Sequence, residues 1–403
     1  MNLFDVVTPA PMDPILGLSE AFREDPSPGK INLTVGVYQN EQGISPVLPS
    51  VRQAGERLLQ AAPSKTYLPI NGQAAFVRHA RNLLFGAENE MLATNRVATT
   101  QTPGGTGALR LAGEFVRRIL GKRTVWVSNP TWANHKGIFA SADLDLQSYP
   151  YFTPETHSLN MDGLVTVLED IPENDVVLFH ACCHNPTGID PREEDWETIA
   201  KICKERRLLP LVDFAYQGLA TGWIDDAVAI RAFSKYGMEF LVCSSFSKNF
   251  GLYQDRVGAL HVVAKNAGEA ERVLSQLKVL IRTNYSNPPA HGSAIVSTIL
   301  SDPELRLQWE EELKGMRIRL KSIRQTFVDE LENAGVPGDF SFLREQKGMF
   351  SFSGLSRETL LKLRREHSIY IVESGRINVA GINGKNVGTL CSAIADCVRE
   401  KAS

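Results

Sequence analysis

MEFLVCSSFSKNFGLYQDRVGALHVVA, residues 238–264, contains two apolar runs, Phe240–Ser245 and Val257–Val263, on either side of a polar loop carrying Lys248 and Arg256. Neither run alternates apolar with polar residues, so both read as strands covered on two faces. Working outward, similar runs recur at Arg123–Ser128, Val176–Ala181 and Leu208–Phe214, with amphipathic helical stretches between them. Buried strands alternating with helices over about residues 94–265 predict an α/β fold with a sheet wound by crossover helices. Such crossovers are nearly always right-handed, and ligands gather beyond the carboxyl ends of the strands. The functional residues are therefore expected just after the apolar runs.

Outside this block, Asp302–Ala334 reads as one long helix, opened by Pro303 in its first turn and closed by Gly335. At 1.5 Å per residue it would extend roughly 45 Å, enough to carry the chain from one domain to another. MFSFSG (349–354) and IYIVE (369–373) read as strands of a smaller C-terminal α+β unit, and INLTVGVY (31–38) as a further strand near the start. Two or more domains also suit a chain of 403 residues, which exceeds what one core normally organises.

With 43% hydrophobic and 22% charged residues the composition is that of a globular protein. A formal net charge of −3 and the lack of any basic run point away from nucleic acid and anionic membranes, towards a small-molecule ligand. The N-terminal MNLFDVVTPAPMDPILGL has acidic residues and prolines where a signal peptide needs a basic segment and an apolar core, so a cytoplasmic protein is expected. The six cysteines lack C-x-x-C spacing and are expected to be reduced.

Four strand ends carry chemistry. Lys248 alone has a plain reading as a solvated loop lysine. Ser245, Ser247 and Arg256 around it are the hydroxyls and guanidinium that a phosphate dianion needs. In QTPGGTGALRLAG (101–113), Gly104 and Gly105 precede a helical stretch at Thr106, where backbone N–H groups can receive phosphate; the plainer alternative is a loop. LPLVDFAYQG (209–218) ends a strand at Asp213, followed by Tyr216. Asp213 reads either as a turn residue or as the partner of a protonated pyridine nitrogen. FHACCHNPTG (179–188) sets a zinc site against structural histidines. Alternate strand residues face opposite ways, which favours the histidines and leaves Asn185 as a donor at the strand end. NPTWANHKG (129–137) offers Trp132 as a flat surface and His135 as its neighbour. A reactive lysine beside a phosphate site, a carboxylate and a stacking ring together suggest pyridoxal phosphate.

These motifs, with VGVY, CCHNPTGID, DFAYQG, SFSKNFGLY, YSNPPAHG, GMFSFSGL and SGRINVAG, resemble the class I (fold type I) aminotransferases, in particular the aspartate and aromatic amino acid enzymes. The resemblance runs nearly end to end. It implies a large domain (46–312) with a mostly parallel seven-stranded sheet, and a smaller α+β domain formed by 1–45 and 313–403. It implies that Lys248 holds pyridoxal phosphate as a Schiff base, that Asp213 pairs with the pyridine nitrogen, and that Asn185 and Tyr216 bond the phenolic oxygen. Trp132 would stack on the ring, with His135 and His180 behind Asp213, and Gly105, Thr106, Ser245, Ser247 and Arg256 around the phosphate. Arg376 would grip the substrate α-carboxylate, with Gly36, Trp132 and Asn185 also facing substrate. Arg282 would reach a distal carboxylate, and Tyr67 the phosphate, across a homodimer.

The reaction so implied moves an amino group from L-aspartate to 2-oxoglutarate by ping-pong kinetics, with aromatic amino acids as the alternative substrates. Val37, Thr66, Thr106 and Asn287 look like aspartate-enzyme residues, Gln39 fits neither type cleanly, and Ser45 is small and polar where the aromatic type tends to be larger and apolar. A lyase or β-decarboxylase would share Lys248 and Asp213 and is told apart by its product, and a non-catalytic binding protein would lack the lysine.

Overall fold

The computed structural model describes residues 2–9 and 16–402, so part of the N-terminal MNLFDVVTPAPMDPILGL lies outside the described residues. Seven strands form the principal sheet: β1 (Val97–Pro103), β2 (Thr124–Asn129), β3 (Asp145–Pro150), β4 (Val176–His180), β5 (Leu209–Phe214), β6 (Phe240–Ser245) and β7 (Val257–Val263). Their spatial order is β1-β7-β6-β5-β4-β2-β3. All run parallel except β7, which is antiparallel to its neighbours β1 and β6.

Helix α1 (Gly104–Arg118) leaves β1 without a connecting loop. Strand residues alternate between faces, and the two buried clusters follow that parity. Leu178, Leu211, Cys243 and Leu260 pack with Ala108, Leu109, Leu111 and Ala112 of α1. Val177, Phe179, Val212 and Val242 face the other way, into a cluster that continues to Trp309 and Leu331. His180, Asp213 and Ser245 share the parity of Leu178, Leu211 and Cys243. They therefore come out at the strand ends on the α1 side, with His180 and Asp213 directly paired in register.

Helix α2 (Pro303–Asn333) starts where expected, with Asp302 accepting hydrogen bonds from the backbone N–H groups of Glu304 and Leu305, both at 3.0 Å. Its buried stripe ties it to the Lys248 loop: Trp309 stacks on Phe250 at 4.5 Å and donates to the Asn249 carbonyl at 2.8 Å. Further along the helix, the buried Arg324 donates to the carbonyls of Gly348 and Phe350 at 2.6 and 3.0 Å. It thereby supports β8 (Phe350–Phe352), which pairs antiparallel with β9 (Arg376–Asn378).

Three elements differ from the sequence reading. β1 ends the sheet opposite β3 and is rich in polar residues, yet Thr99, Thr100, Gln101 and Thr102 are all buried, so hydropathy conceals it. β3 lies at a sheet edge with half its residues exposed, and so lacks an apolar run. In 31–38 only Ile31–Asn32 forms a ladder, parallel to Ile369–Tyr370. The carbonyls of residues 34, 35 and 37 and the N–H of residue 38 are taken by side chains instead.

Gly258 lies where β7 passes beneath the start of α1. A Cβ there would stand 2.4 Å from the Gly104 carbonyl carbon, so backbone must move. Gly258→Ala is expected to destabilise the protein by about 1–3 kcal/mol through overpacking. Denaturant unfolding checks this, and an unchanged midpoint would contradict it.

Candidate active site

The strand ends and α1 enclose a cavity of about 230 Å³. Gly105, Thr106, Trp132, Asn185, Asp213, Tyr216, Ser245, Ser247, Lys248 and Arg256, with Gly36 and Arg376 from outside the sheet, all line it. A larger groove of about 800 Å³ opens at the opposite end of the sheet and contains none of these residues.

The site is built around a buried carboxylate. Burial raises the Asp213 pKa, but the hydrogen bond from His135, with the nearby Lys248 charge, outweighs it and holds the carboxyl below its ordinary range. His135 Nε2 donates to Asp213 Oδ2 at 3.1 Å, while its Nδ1 lies 2.8 Å from the Thr131 hydroxyl. A charged carboxylate as acceptor puts the His135 proton on Nε2 and makes Thr131 the donor at Nδ1. His180, 5.3 Å from His135 between centroids, is kept neutral: burial, reinforced by His135, pushes its pKa down to about 3. Neither of its ring nitrogens has a partner among the described residues.

The ligating atoms of His135, His180 and Asp213 lie within 4.8 Å of one another, while Cys182 and Cys183 take no part in that group. His184 is held by Ser128 and Thr187 at 2.9 and 2.8 Å and stacked on Tyr151 at 3.9 Å.

Lys248 follows β6 with its Nζ 4.7 Å from the centre of the Tyr216 ring. Burial, reinforced by the charges of Arg256 and Arg376 and opposed by Asp213, lowers its pKa to about 8. Tyr216 moves the other way, its phenol pushed up by burial. Asn185, just before a cis proline, has a buried Oδ1 with no partner among the described residues.

Beside the lysine, Arg256 donates to the Ser247 hydroxyl at 3.3 Å and the Tyr253 carbonyl at 3.0 Å. Gly104, at φ 74°, and Gly105 bring the α1 backbone close to these groups. A Cβ on Gly104 would stand 2.3 Å from Arg256 Nη2, and one on Gly105 3.0 Å from Ser245 Cβ. Hydroxyls, a guanidinium and a helix N-terminus thus converge at one end of the cavity, as an anion requires.

At the other end Arg376 is 5% exposed, with its guanidinium 4.3 Å from the Phe350 ring centre and Nη2 bonded to the Thr34 carbonyl at 2.7 Å. Its Nε has no partner, and no carboxylate neutralises it, among the described residues. The polar atoms left over at Arg376, Asn185 and His180, the anion cradle and the free amine fit a phosphorylated heterocycle bearing a carbonyl, together with a carboxylate ligand.

Tyr67 and Arg282 are not brought to this cavity: Tyr67 is 91% exposed, and Arg282 is exposed and bonded to the Ser286 hydroxyl. Of the residues read for substrate preference, only Thr106 lines it. Sequence reasoning missed Phe350 and Tyr253, which also line it. Tyr253 lies five residues from Lys248 in the quoted loop and was findable by that proximity; Phe350 had no local signal.

A family model described as aminotransferase class I and II matches residues 28–394. Aspartate aminotransferase from Escherichia coli (strain K12) is 51% identical over 392 residues, covering 97% of this chain and 99% of that protein. An aromatic-amino-acid aminotransferase from Pseudomonas aeruginosa is 47% identical over 395 residues, covering 98% and 99%. The crystal structure of an aromatic-amino-acid aminotransferase from Burkholderia pseudomallei, covalently bound to pyridoxal phosphate, superposes with a TM-score of 0.96 at 45% identity, covering 99% and 100%.

In the cofactor-free protein the Lys248 amine is expected to titrate near pH 8. Arg376→Leu removes a repelling charge and should raise that value, and Asp213→Asn should lower it. The pH dependence of Lys248 acylation measures both, and an amine titrating above about pH 10 in the wild type, as a solvated lysine does, would refute the burial of Lys248.

Proposed function

The chain belongs to the class I and II aminotransferases, and from that premise we propose that its main reaction is the reversible transfer of the amino group of L-aspartate to 2-oxoglutarate. The observation that carries this reading is one cavity shared by a buried amine, Lys248, a buried carboxylate, Asp213, and a guanidinium without a carboxylate, Arg376.

The cofactor is pyridoxal phosphate, which when bound supplies a carbonyl to carry the amino group and a cationic ring to accept electrons from the substrate Cα. Lys248 would hold its carbonyl carbon, Asp213 its ring nitrogen, and Asn185 and Tyr216 its phenolic oxygen. Trp132 would cover the ring face, and Gly105, Thr106, Ser245, Ser247 and Arg256 would hold the phosphate. His135 and His180 lie behind Asp213, where His135 keeps the carboxylate charged.

Arg376 binds the α-carboxylate and so orients the substrate Cα–H bond, with Gly36 at the same subsite. Lys248, when its amine is free, would be the base: a pKa of about 8 in the ligand-free site leaves a useful neutral fraction at physiological pH. Tyr216, beneath Nζ and held as a neutral phenol, keeps that amine over the cavity. The buried walls exclude water from the proton being moved.

Tyr67 and Arg282, both exposed and outside their own cavity, support a homodimer in which each subunit lends these two residues to its partner. Arg282 in that position favours dicarboxylic substrates. Aromatic amino acids are the second reading, favoured by the aromatic-amino-acid aminotransferase at 47% identity. The domains of this reading are 46–312, and 1–45 with 313–403. No described helix is long and apolar enough to cross a membrane, which is compatible with the cytoplasm as its location.

The purified protein is expected to show a visible cofactor band that L-aspartate removes and 2-oxoglutarate restores, with L-phenylalanine slower and Lys248→Ala inert. No band after incubation with pyridoxal phosphate would overturn the reading. Arg376→Leu should lower kcat/KM for L-aspartate by roughly 100- to 1,000-fold, as loss of a desolvated charge partner does. Steady-state rates check it.

A further inference from the structure

Residues 33–38 cross the site without a sheet ladder to support them, and side chains hold several of their backbone groups instead. Arg376 Nη2 donates to the Thr34 carbonyl at 2.7 Å. Asn378 Nδ2 donates to the Val35 carbonyl at 2.6 Å and to the Val37 carbonyl at 2.8 Å. The Asn378 backbone N–H reaches the Leu33 carbonyl at 2.8 Å. At the far end the Tyr253 hydroxyl accepts the Tyr38 N–H at 2.8 Å.

The two carbonyls gathered by one amide flank Gly36 in sequence. Both hydrogens of Asn378 Nδ2 are thereby used, and Oδ1 accepts the Ala380 N–H at 3.1 Å, so the amide has one orientation that satisfies it. Asn378 is 2% exposed and does not line the cavity, whereas Gly36 does. Gly36 also sits directly against Phe350: a Cβ there would be 3.1 Å from the ring Cζ. The same ring carries the Arg376 guanidinium at 4.3 Å.

We propose that Asn378 is a positioning residue for the substrate α-carboxylate: its amide pins the backbone on both sides of Gly36 against Phe350, so that Gly36 and Arg376 form one rigid subsite. This rests on the aminotransferase reading above. An unsupported extended segment would lose its carbonyl partners and move away from Phe350 when that amide is removed. The strand geometry explains why one residue can do this. Arg376 and Asn378 are two apart on β9 and so point to the same face, one to the substrate and the other to the segment that covers it. Amino donor and oxo acid both carry the α-carboxylate, so both should feel the loss. Interactions made equally in the ground and transition states appear in KM more than in kcat.

The test uses the holoenzyme of the wild type, Asn378→Asp, which keeps the shape but turns a carboxylate towards two carbonyls, and Asn378→Ser, which is too short to bridge them. The expected result is a KM raised about tenfold or more for both L-aspartate and 2-oxoglutarate, kcat changed less than about threefold, and an unaltered cofactor band. Gly36→Ala, which pushes the segment off Phe350 by another route, should show the same split, and carries the test alongside Asn378→Ser if Asn378→Asp does not fold. KM values within about twofold of wild type for both substrates in folded, cofactor-loaded Asn378 variants would overturn the proposal. So would a fall in kcat or cofactor content with KM unchanged, the pattern of a merely structural role. Failure of the functional reading is distinct, because the wild type itself would then transfer no amino group.

Discussion

The hydrogen bond from His135 to Asp213, 3.1 Å long and fully enclosed, is the contact the site cannot do without. A carboxylate so deeply buried at the end of an apolar strand would take up a proton and become useless as a counter-charge. His135 prevents that, and the Thr131 hydroxyl, which can donate or accept, satisfies the other nitrogen of His135. Strand parity brings these groups together: Asp213 and His180 are register partners on the α1 side, and Ser245 comes out on the same side one strand further.

Around this anion the protein buries more positive charge than it neutralises. Lys248, Arg376 and the remote Arg324 are largely enclosed, and none has a carboxylate partner within hydrogen-bond reach among the described residues. Arg324 relies on carbonyls and one hydroxyl, and burial pushes its pKa down to about 10. Every guanidinium nitrogen of Arg324 is bonded and it has a support role, whereas Arg376 keeps its Nε without a partner among the described residues. The difference separates a cation that holds a strand from one that awaits an anion.

Much of the site was legible because the fold places function at strand ends, and strand ends are visible in hydropathy. Lys248, Asp213 and Asn185 each follow an apolar run, and all three line the cavity. β6 and β7 have the boundaries that the sequence predicts, since both are buried along their whole length. β1 escapes a hydropathy reading because its buried threonines look like loop residues, and 33–38 reads as a strand because the carbonyl partners of that segment lie about 340 positions away, on Arg376 and Asn378. Tyr67 and Arg282 could be picked out only through the family resemblance, since nothing in a single subunit brings them to the cavity.

The order of strands has a consequence for biosynthesis. β1 borders only β7, and about 150 residues of chain separate the two. As the polypeptide emerges from the ribosome, β1 and the helix start that follows it must wait, with an open strand edge, until β7 has been made. The phosphate cradle, which needs Gly105 from the early segment and Arg256 from the late one, cannot exist before then. The carboxylate subsite is later still, since Arg376 lies 120 residues beyond Arg256. A nascent chain is thus unable to capture cofactor until β7 and Arg256 have been synthesised, and cannot bind substrate at both ends of the cavity until Arg376 has followed.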